Sequence, residues 1–406
     1  MNQNTLPDKK TTWLLRLYYF AWVGAPGFIY PFLNIFFTRQ GLNGQQIGLV
    51  TAASSLALLI ASPFWTRWSE SSRHPRRVLQ AALILSGLGW IVLGRQHLFC
   101  WIFIISALRT IPAAGIWPIS DDLALRLQGS SRAGYGQIRL WGSVGWAVFV
   151  LVSGWLIERS GLSIGFFSTG AAYCASALIL FFLPGMESRP RQTRLETQAA
   201  SQPSVLHSLW ASPALLGLSG MLILTGIGNS GVLQFETVYM DDLGAREALI
   251  GVAGMLSAAV EVPGMLLADH FIRKHGHDRI LLLSLILHVL MRVMVFVWPS
   301  IPVILFSRLF NGIAFSLYMV AIVVTITNHA LTSQRGTMLA IFNVTLPGLV
   351  SILASPLSGA IYDALGGRVL YSLAAAGYLI GWLGLRFTQH LPPRGMPGLP
   401  PSPAQE

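Results

Sequence analysis

Nine charged side chains stand in stretches too apolar to give them an ordinary place. Asp121, Asp122, Glu236 and Glu261 lie in or beside long hydrophobic runs, and Arg16, Arg109, Arg139, Arg292 and Arg308 supply the opposite sign. An ionised side chain at the centre of a bilayer costs ~2.5–3.5 kcal/mol on insertion scales, so each such group implies a partner, a wet cavity or a role. Asp121 closes one run in GIWPISDDLAL and Arg139 opens the next in YGQIRLWGSVGW. An antiparallel pair of helices would bring this acid and this guanidinium together or around one ligand, and each would then lose less on leaving water. Trp146 follows Arg139 by two helical turns on the same face and offers an aromatic plane to a sugar or a ring-bearing solute. An anchor at the membrane interface is the plainer reading of the same tryptophan.

Glu261 in SAAVEVPGM and Arg292 in HVLMRVMVF occupy consecutive runs and are read as a proton-coupling pair. A carboxylate poised between burial and an arginine loads or releases a proton when either changes. A static buried salt bridge is the alternative. His288, one turn before Arg292, is a secondary candidate, although a single intramembrane histidine is more often packed or hydrogen-bonded. The sequence contains no Walker A string, no GxSxG elbow and no HExxH, so nothing points to ATP hydrolysis, acyl transfer or zinc chemistry. The chain is therefore expected not to be an enzyme, to need no cofactor and no metal, and to draw its energy from a gradient.

The elements that must position these groups follow from composition. Of 406 residues, 53% are hydrophobic and 11% charged, against roughly 25% charged in a soluble domain. Twelve apolar runs are long enough to cross a bilayer. They lie near 13–38, 45–66, 78–94, 98–125, 137–157 and 164–183, then near 213–239, 247–270, 278–298, 301–328, 337–361 and 369–388. The expected fold is all-α and integral to the membrane, with twelve helices in two pseudo-symmetric six-helix bundles, 13–184 and 209–390. A cytoplasmic tail at 1–12, a polar cytoplasmic linker at 185–208 and a Pro/Gly-rich disordered tail at 391–406 complete the chain.

A net charge of +11 would raise nucleic-acid binding in a soluble protein. Here Lys and Arg concentrate in alternate loops and both tails, and that positive-inside pattern explains the charge without nucleic acid. It places both termini in the cytoplasm of a bacterial-type inner membrane. The halves also echo each other: Glu70 precedes Arg76 and Arg77 after span two, and Asp269 precedes Arg273 after span eight. An acid at a helix end followed by a basic turn can pair across the cytoplasmic face and gate it. Gly24, Pro26, Gly27 and Pro31 interrupt span one, and Gly226, Gly228 and Gly231 recur with Asn229 in span seven. Paired interruptions point to a solute path, and close helix packing is the alternative.

The string YGQIRLWGSVGW at 135–146, following PISDD at 118–122, resembles the fourth-to-fifth-span region of the major facilitator superfamily branch that contains lactose permease and the phenylpropionate transporters. The resemblance implies that Asp121 and Arg139 bind solute, that Trp146 stacks on it, and that Glu261 in span eight and Arg292 in span nine match coupling positions. Span ten carries Asn311 where relatives commonly have histidine, and span seven carries Asn229 in place of an acid pair; both asparagines are assigned to the solute cavity. The implied activity is proton-coupled uptake of an aromatic carboxylate or sugar-like solute by alternating access, with lipid as the surroundings and a monomer as the working unit. A siderophore or drug transporter, efflux included, is the alternative of the same fold. A membrane sensor or scaffold is the alternative of another class.

Overall fold

The computed structural model describes residues 9–72, 74–128, 132–184 and 204–389. The expected tail at 391–406, most of the expected linker and most of the N-terminal tail lie outside the described residues. Among those described there is no strand, and twelve helical segments are long and apolar enough to cross a membrane. A helix is the element such a segment must take, because the hydrocarbon core offers backbone N–H and C=O groups no partner outside their own segment.

In chain order the helices are α1 (Lys9–Gly24), α2 (Leu33–Arg39), α3 (Gly44–Ser71), α4 (Pro75–Leu93), α5 (Phe99–Gln128), α6 (Arg132–Ser160) and α7 (Ser163–Ile179). After the short α8 (Val205–Ala211) come α9 (Pro213–Asp242), α10 (Glu247–His275), α11 (His277–Val297), α12 (Ile301–His329), α13 (Arg335–Ala340), α14 (Leu346–Leu365) and α15 (Gly367–Gln389). Eight of the twelve expected runs fall within an observed span, and the other four overshoot one by a single residue. At the start of α3 the Asn43 side chain accepts from the Gln46 N–H at 2.8 Å, and the Gln46 side chain accepts from the Asn43 N–H at 3.1 Å. This reciprocal cap satisfies two donors that the first turn leaves open. Gly276 and Gly366, at φ 82° and 77°, make the tight turns between consecutive spans, a conformation that costs residues with a Cβ.

Two compact units emerge, residues 1–192 with 240–259 and residues 193–239 with 260–406. The segment 240–259, expected in the C-terminal half, belongs to the first unit for visible reasons. Arg39 reaches both Asp241 and Glu247 at 2.9 Å, the Ala248 N–H donates to Glu158 at 3.3 Å, and a Cβ on Gly154 would stand 3.1 Å from the Gly251 Cα.

Lipid supplies no hydrophobic drive between helices, so close approach at small residues carries much of the association. In the first unit a Cβ on Gly24 would come within 2.7 Å of the Gly145 carbonyl carbon, bringing α1 onto α6, and one on Gly87 within 2.9 Å of the Gly170 oxygen, bringing α4 onto α7. In the second unit Gly228 and Gly377 do the same for α9 and α15. Leu266, Leu353 and Phe387 remain more than 70% exposed, as a surface turned to hydrocarbon permits.

The two expected interruptions part company here. Span one does break, into 3₁₀ segments at Ala25–Phe28 and Tyr30–Phe32, each with a proline in its first turn. Span seven does not: α9 runs unbroken from Pro213 to Asp242. Its glycines keep their N–H groups in the ladder and serve close packing, whereas proline has none to give. An interruption the sequence reading missed lies in span eleven, where a π turn at Ile341–Thr345 separates α13 from α14.

Candidate functional site

Two tyrosines of α1 fix the acid of span four. Tyr18 and Ser120 share a buried hydroxyl–hydroxyl bond of 2.7 Å, and beside it Tyr19 donates to Asp121 Oδ1 at 2.9 Å. Asp122, its neighbour, turns along the helix to Arg126 at 2.6 Å and is neutralised there. Asp121 is thus the half-buried carboxylate that keeps capacity for a further partner. One turn before it on α5 stands Trp117, and the Arg139 guanidinium of α6 lies 5.0 Å from the centroid of that ring. Residues four apart on a helix are surface neighbours, so acid and guanidinium approach the same turn of α5. Trp146 lies further along α6, half-buried, with its ring centroid 6.4 Å from that of Tyr30. Sequence reading singled out neither Tyr19 nor Trp117; the doublet Tyr18–Tyr19 in an apolar run was the available signal for the first.

In the second unit the shortest ion pair among the described residues joins Arg308 of α12 to Glu236 of α9 at 2.6 Å. Both residues were read as intramembrane charges, but not as partners. Arg292 lies 5% exposed, donates to Asn311 Oδ1 at 3.5 Å and sits 6.0 Å over the Tyr371 ring. Two atoms of this core, Arg292 Nε and Arg308 Nε, are buried without a hydrogen-bond partner, and the Tyr371 hydroxyl faces the Glu236 carboxylate. Asn229 is buried nearby in sequence on α9, its Oδ1 also unpartnered.

Glu261 and Arg292 are not brought within ion-pair distance; among the described residues no ion pair involves the Glu261 carboxylate. The reason is topological: α11 packs mainly on α12 and α15, so Arg292 finds Asn311 and Tyr371 rather than its sequence neighbour. The backbone at Glu261 is held instead by α12, where Ser316 donates to the Glu261 carbonyl at 2.8 Å. His288 is a packing residue in this arrangement, donating to the Ser284 carbonyl at 2.8 Å and stacked on Tyr378 at 4.6 Å.

Comparison with known proteins bears on the geometry at this point. The family model described as MFS_1 like family matches residues 12–373. The chain belongs to this branch of the major facilitator superfamily. The maltose permease of Geobacillus stearothermophilus is 29% identical over 271 residues, 66% of this chain and 66% of that protein. The multidrug resistance protein MdtG of Dickeya zeae is 25% identical across 91% of this chain and 95% of its own length. The "Probable 3-phenylpropionic acid transporter" of Escherichia coli is 24% identical across 68% and 72%. Among solved structures, the nucleoside transporter NupG superposes with a TM-score of 0.79 at 13% identity, over 94% of this chain and 99% of that one, a likeness of fold alone. This MFS_1-like chain is a multi-pass membrane transporter and not an enzyme.

At the ends of its spans, one of the residues expected to gate the transporter has another partner. Arg76 donates to the Leu183 carbonyl at 2.8 Å, closing the end of span six. Arg77, Asp269 and Arg273 are exposed, and none of the three is in an ion pair among the described residues. The Glu70 side chain lies outside the described residues.

The Glu236–Arg308 pair carries its own prediction. Replacing Glu236 by Gln removes the carboxylate paired with Arg308 and leaves a guanidinium uncompensated, a loss of ~3–5 kcal/mol. Thermal unfolding in detergent is expected to show a lowered midpoint, largely restored by adding Arg308→Gln. A single variant as stable as the parent would show that the pair is not what holds α9 to α12.

Proposed function

We propose that this transporter takes up a small organic solute, an aromatic carboxylate or a sugar, together with protons by alternating access. The observation that supports it most is the placing of Asp121, held by Tyr19, and Arg139, stacked on Trp117, at one turn of α5. A carboxylate and a guanidinium flanked by aromatic rings suit a solute with hydrogen-bonding groups on a flat body. In this reading Asp121 and Arg139 orient the solute and Trp146 packs on it. Asn229 and Asn311 contribute polar contacts on the second unit, Glu261 carries the proton and Arg292 governs its release. Glu70, Arg76, Arg77, Asp269 and Arg273 re-pair as the cytoplasmic face opens and closes. The basic loops set both termini in the cytoplasm of the plasma membrane, and the chain acts as a monomer.

The similarity to a multidrug resistance protein along nearly the whole chain favours efflux as the second reading. Direction separates the two. Proteoliposomes with an imposed pH gradient, acid outside, are expected to accumulate labelled 3-phenylpropionate or maltose. Expulsion of preloaded label under an outward-facing proton demand, with no accumulation, would favour efflux instead.

A further inference from the structure

Trp90 and Trp117 each hold an arginine against the ring, and they differ in what is left open. Arg109 lies 3.7 Å from the centroid of Trp90, but that ring is 1% exposed and the Tyr30 hydroxyl answers the guanidinium. It is a packed pair. Trp117 has the Arg139 guanidinium 5.0 Å from its centroid and the Trp22 ring at 5.0 Å, inclined at 75°. Both the ring, at 41%, and the arginine nonetheless remain exposed.

That exposure is not on the lipid side. Trp101, Ile104, Leu108 and Ile111 are exposed at helical spacing along α5, which makes them the stripe turned to hydrocarbon. Trp117 follows Leu108 by nine residues, about two and a half turns at ~3.6 residues per turn, so the two side chains leave opposite sides of the helix. Ile116, Ile119 and Ser120 beside it are buried, and the exposure is a window between them. Asp121 stands one turn further on, a surface neighbour of Trp117 on the same helix. A face that carries a carboxylate and an exposed guanidinium opens onto water, because hydrocarbon would make both costly. An open indole on that wet face is a surface for a solute, not an anchor for the bilayer.

From this arrangement we infer that Trp117 is the specificity-determining ring of the site: the planar aromatic body of the solute lies on its exposed part while Arg139 takes the carboxylate. Two aromatic rings in contact gain about two- to tenfold over what burial of the same area gives. The inference rests on the reading that Asp121 and Arg139 bind solute, and it narrows the class to aromatic acids, ahead of acids with saturated rings and of sugars.

Calorimetry on the full-length protein in detergent tests it, with 3-phenylpropionate and 3-cyclohexylpropionate as probes. The two share a carboxylate and a six-membered ring, and the saturated one is the more apolar, so a plain hydrophobic wall would favour it. The parent is expected to bind the aromatic acid about fivefold more tightly. Trp117→Leu should bring that ratio to about one or below, and Trp117→Phe should keep it near the parent's. A tryptophan that served only to hold Arg139 would weaken both acids alike when replaced and leave the ratio unchanged. An unchanged ratio in Trp117→Leu, equal affinities in the parent or binding of neither acid would each overturn the inference. Arg139→Gln separates this failure from that of the site: parent-like binding in that variant would overturn the site and the inference together. A ratio unmoved by Trp117→Leu, with Arg139 still required, would remove Trp117 alone.

Discussion

Replacing Arg139 with lysine is expected to abolish solute binding at usable concentrations. Lysine keeps the charge but not the planar fork, so one of two charge-assisted hydrogen bonds to a carboxylate or a vicinal diol is lost. Such a bond contributes ~1.5–3 kcal/mol, and the stacking of Arg139 on Trp117, seen at 5.0 Å, adds ~0.5–2 kcal/mol that an ammonium does not recover in the same geometry. Together these amount to about a hundredfold or more in affinity. Binding of 3-phenylpropionate and of maltose to the purified variant measures it, and uptake equal to that of the parent would count decisively against the site. Folding should survive, because Arg139 is exposed and no buried carboxylate is orphaned by a substitution that keeps its charge.

Glu261→Gln is expected to separate coupling from transport. Glutamine matches the shape and hydrogen-bonding reach of a protonated glutamate but has no proton that titrates at this position. At 100 mV, one charge carried inward contributes ~2.3 kcal/mol, about fiftyfold accumulation before any pH gradient is added. In the variant that ratio should fall to about one, while exchange of labelled for unlabelled solute across the same vesicles persists. Retained concentrative uptake would take Glu261 out of the coupling role. The Glu236–Arg308 pair would then be the next to consider, since Glu236 is a buried carboxylate within the spans.

The residues differ in how far their sequence revealed them. Twelve spans were legible because each bilayer crossing writes a run of apolar residues long enough to stand alone, and the observed helices match those runs with at most one residue of overshoot. Asp121, Arg139 and Trp146 were legible because a charge in an apolar run is conspicuous and their spacing is helical. What a one-dimensional pattern does not carry is which helix lies beside which. Glu261 and Arg292 occupy consecutive spans, yet α11 packs chiefly on α12 and α15, and the close carboxylate pairing falls to Glu236 and Arg308, on spans seven and ten. Glycines in spans one and seven looked alike, but only span one also has Pro26 and Pro31 to remove N–H donors. Tyr19, Trp117 and Trp90 were hidden for the opposite reason: an aromatic residue in a membrane span is unremarkable until a carboxylate or a guanidinium is found against it.

The central claim is that one solute meets Asp121 and Arg139 together. A double-mutant cycle on solute affinity tests it most directly, comparing the parent with Asp121→Asn, Arg139→Gln and the two combined, by calorimetry with 3-phenylpropionate and with maltose. Each single change should weaken binding, and the double should weaken it little more than either one, a coupling of ~1–3 kcal/mol as expected for groups that share a partner. Strictly additive losses, or a single variant that binds both solutes as the parent does, would contradict the account.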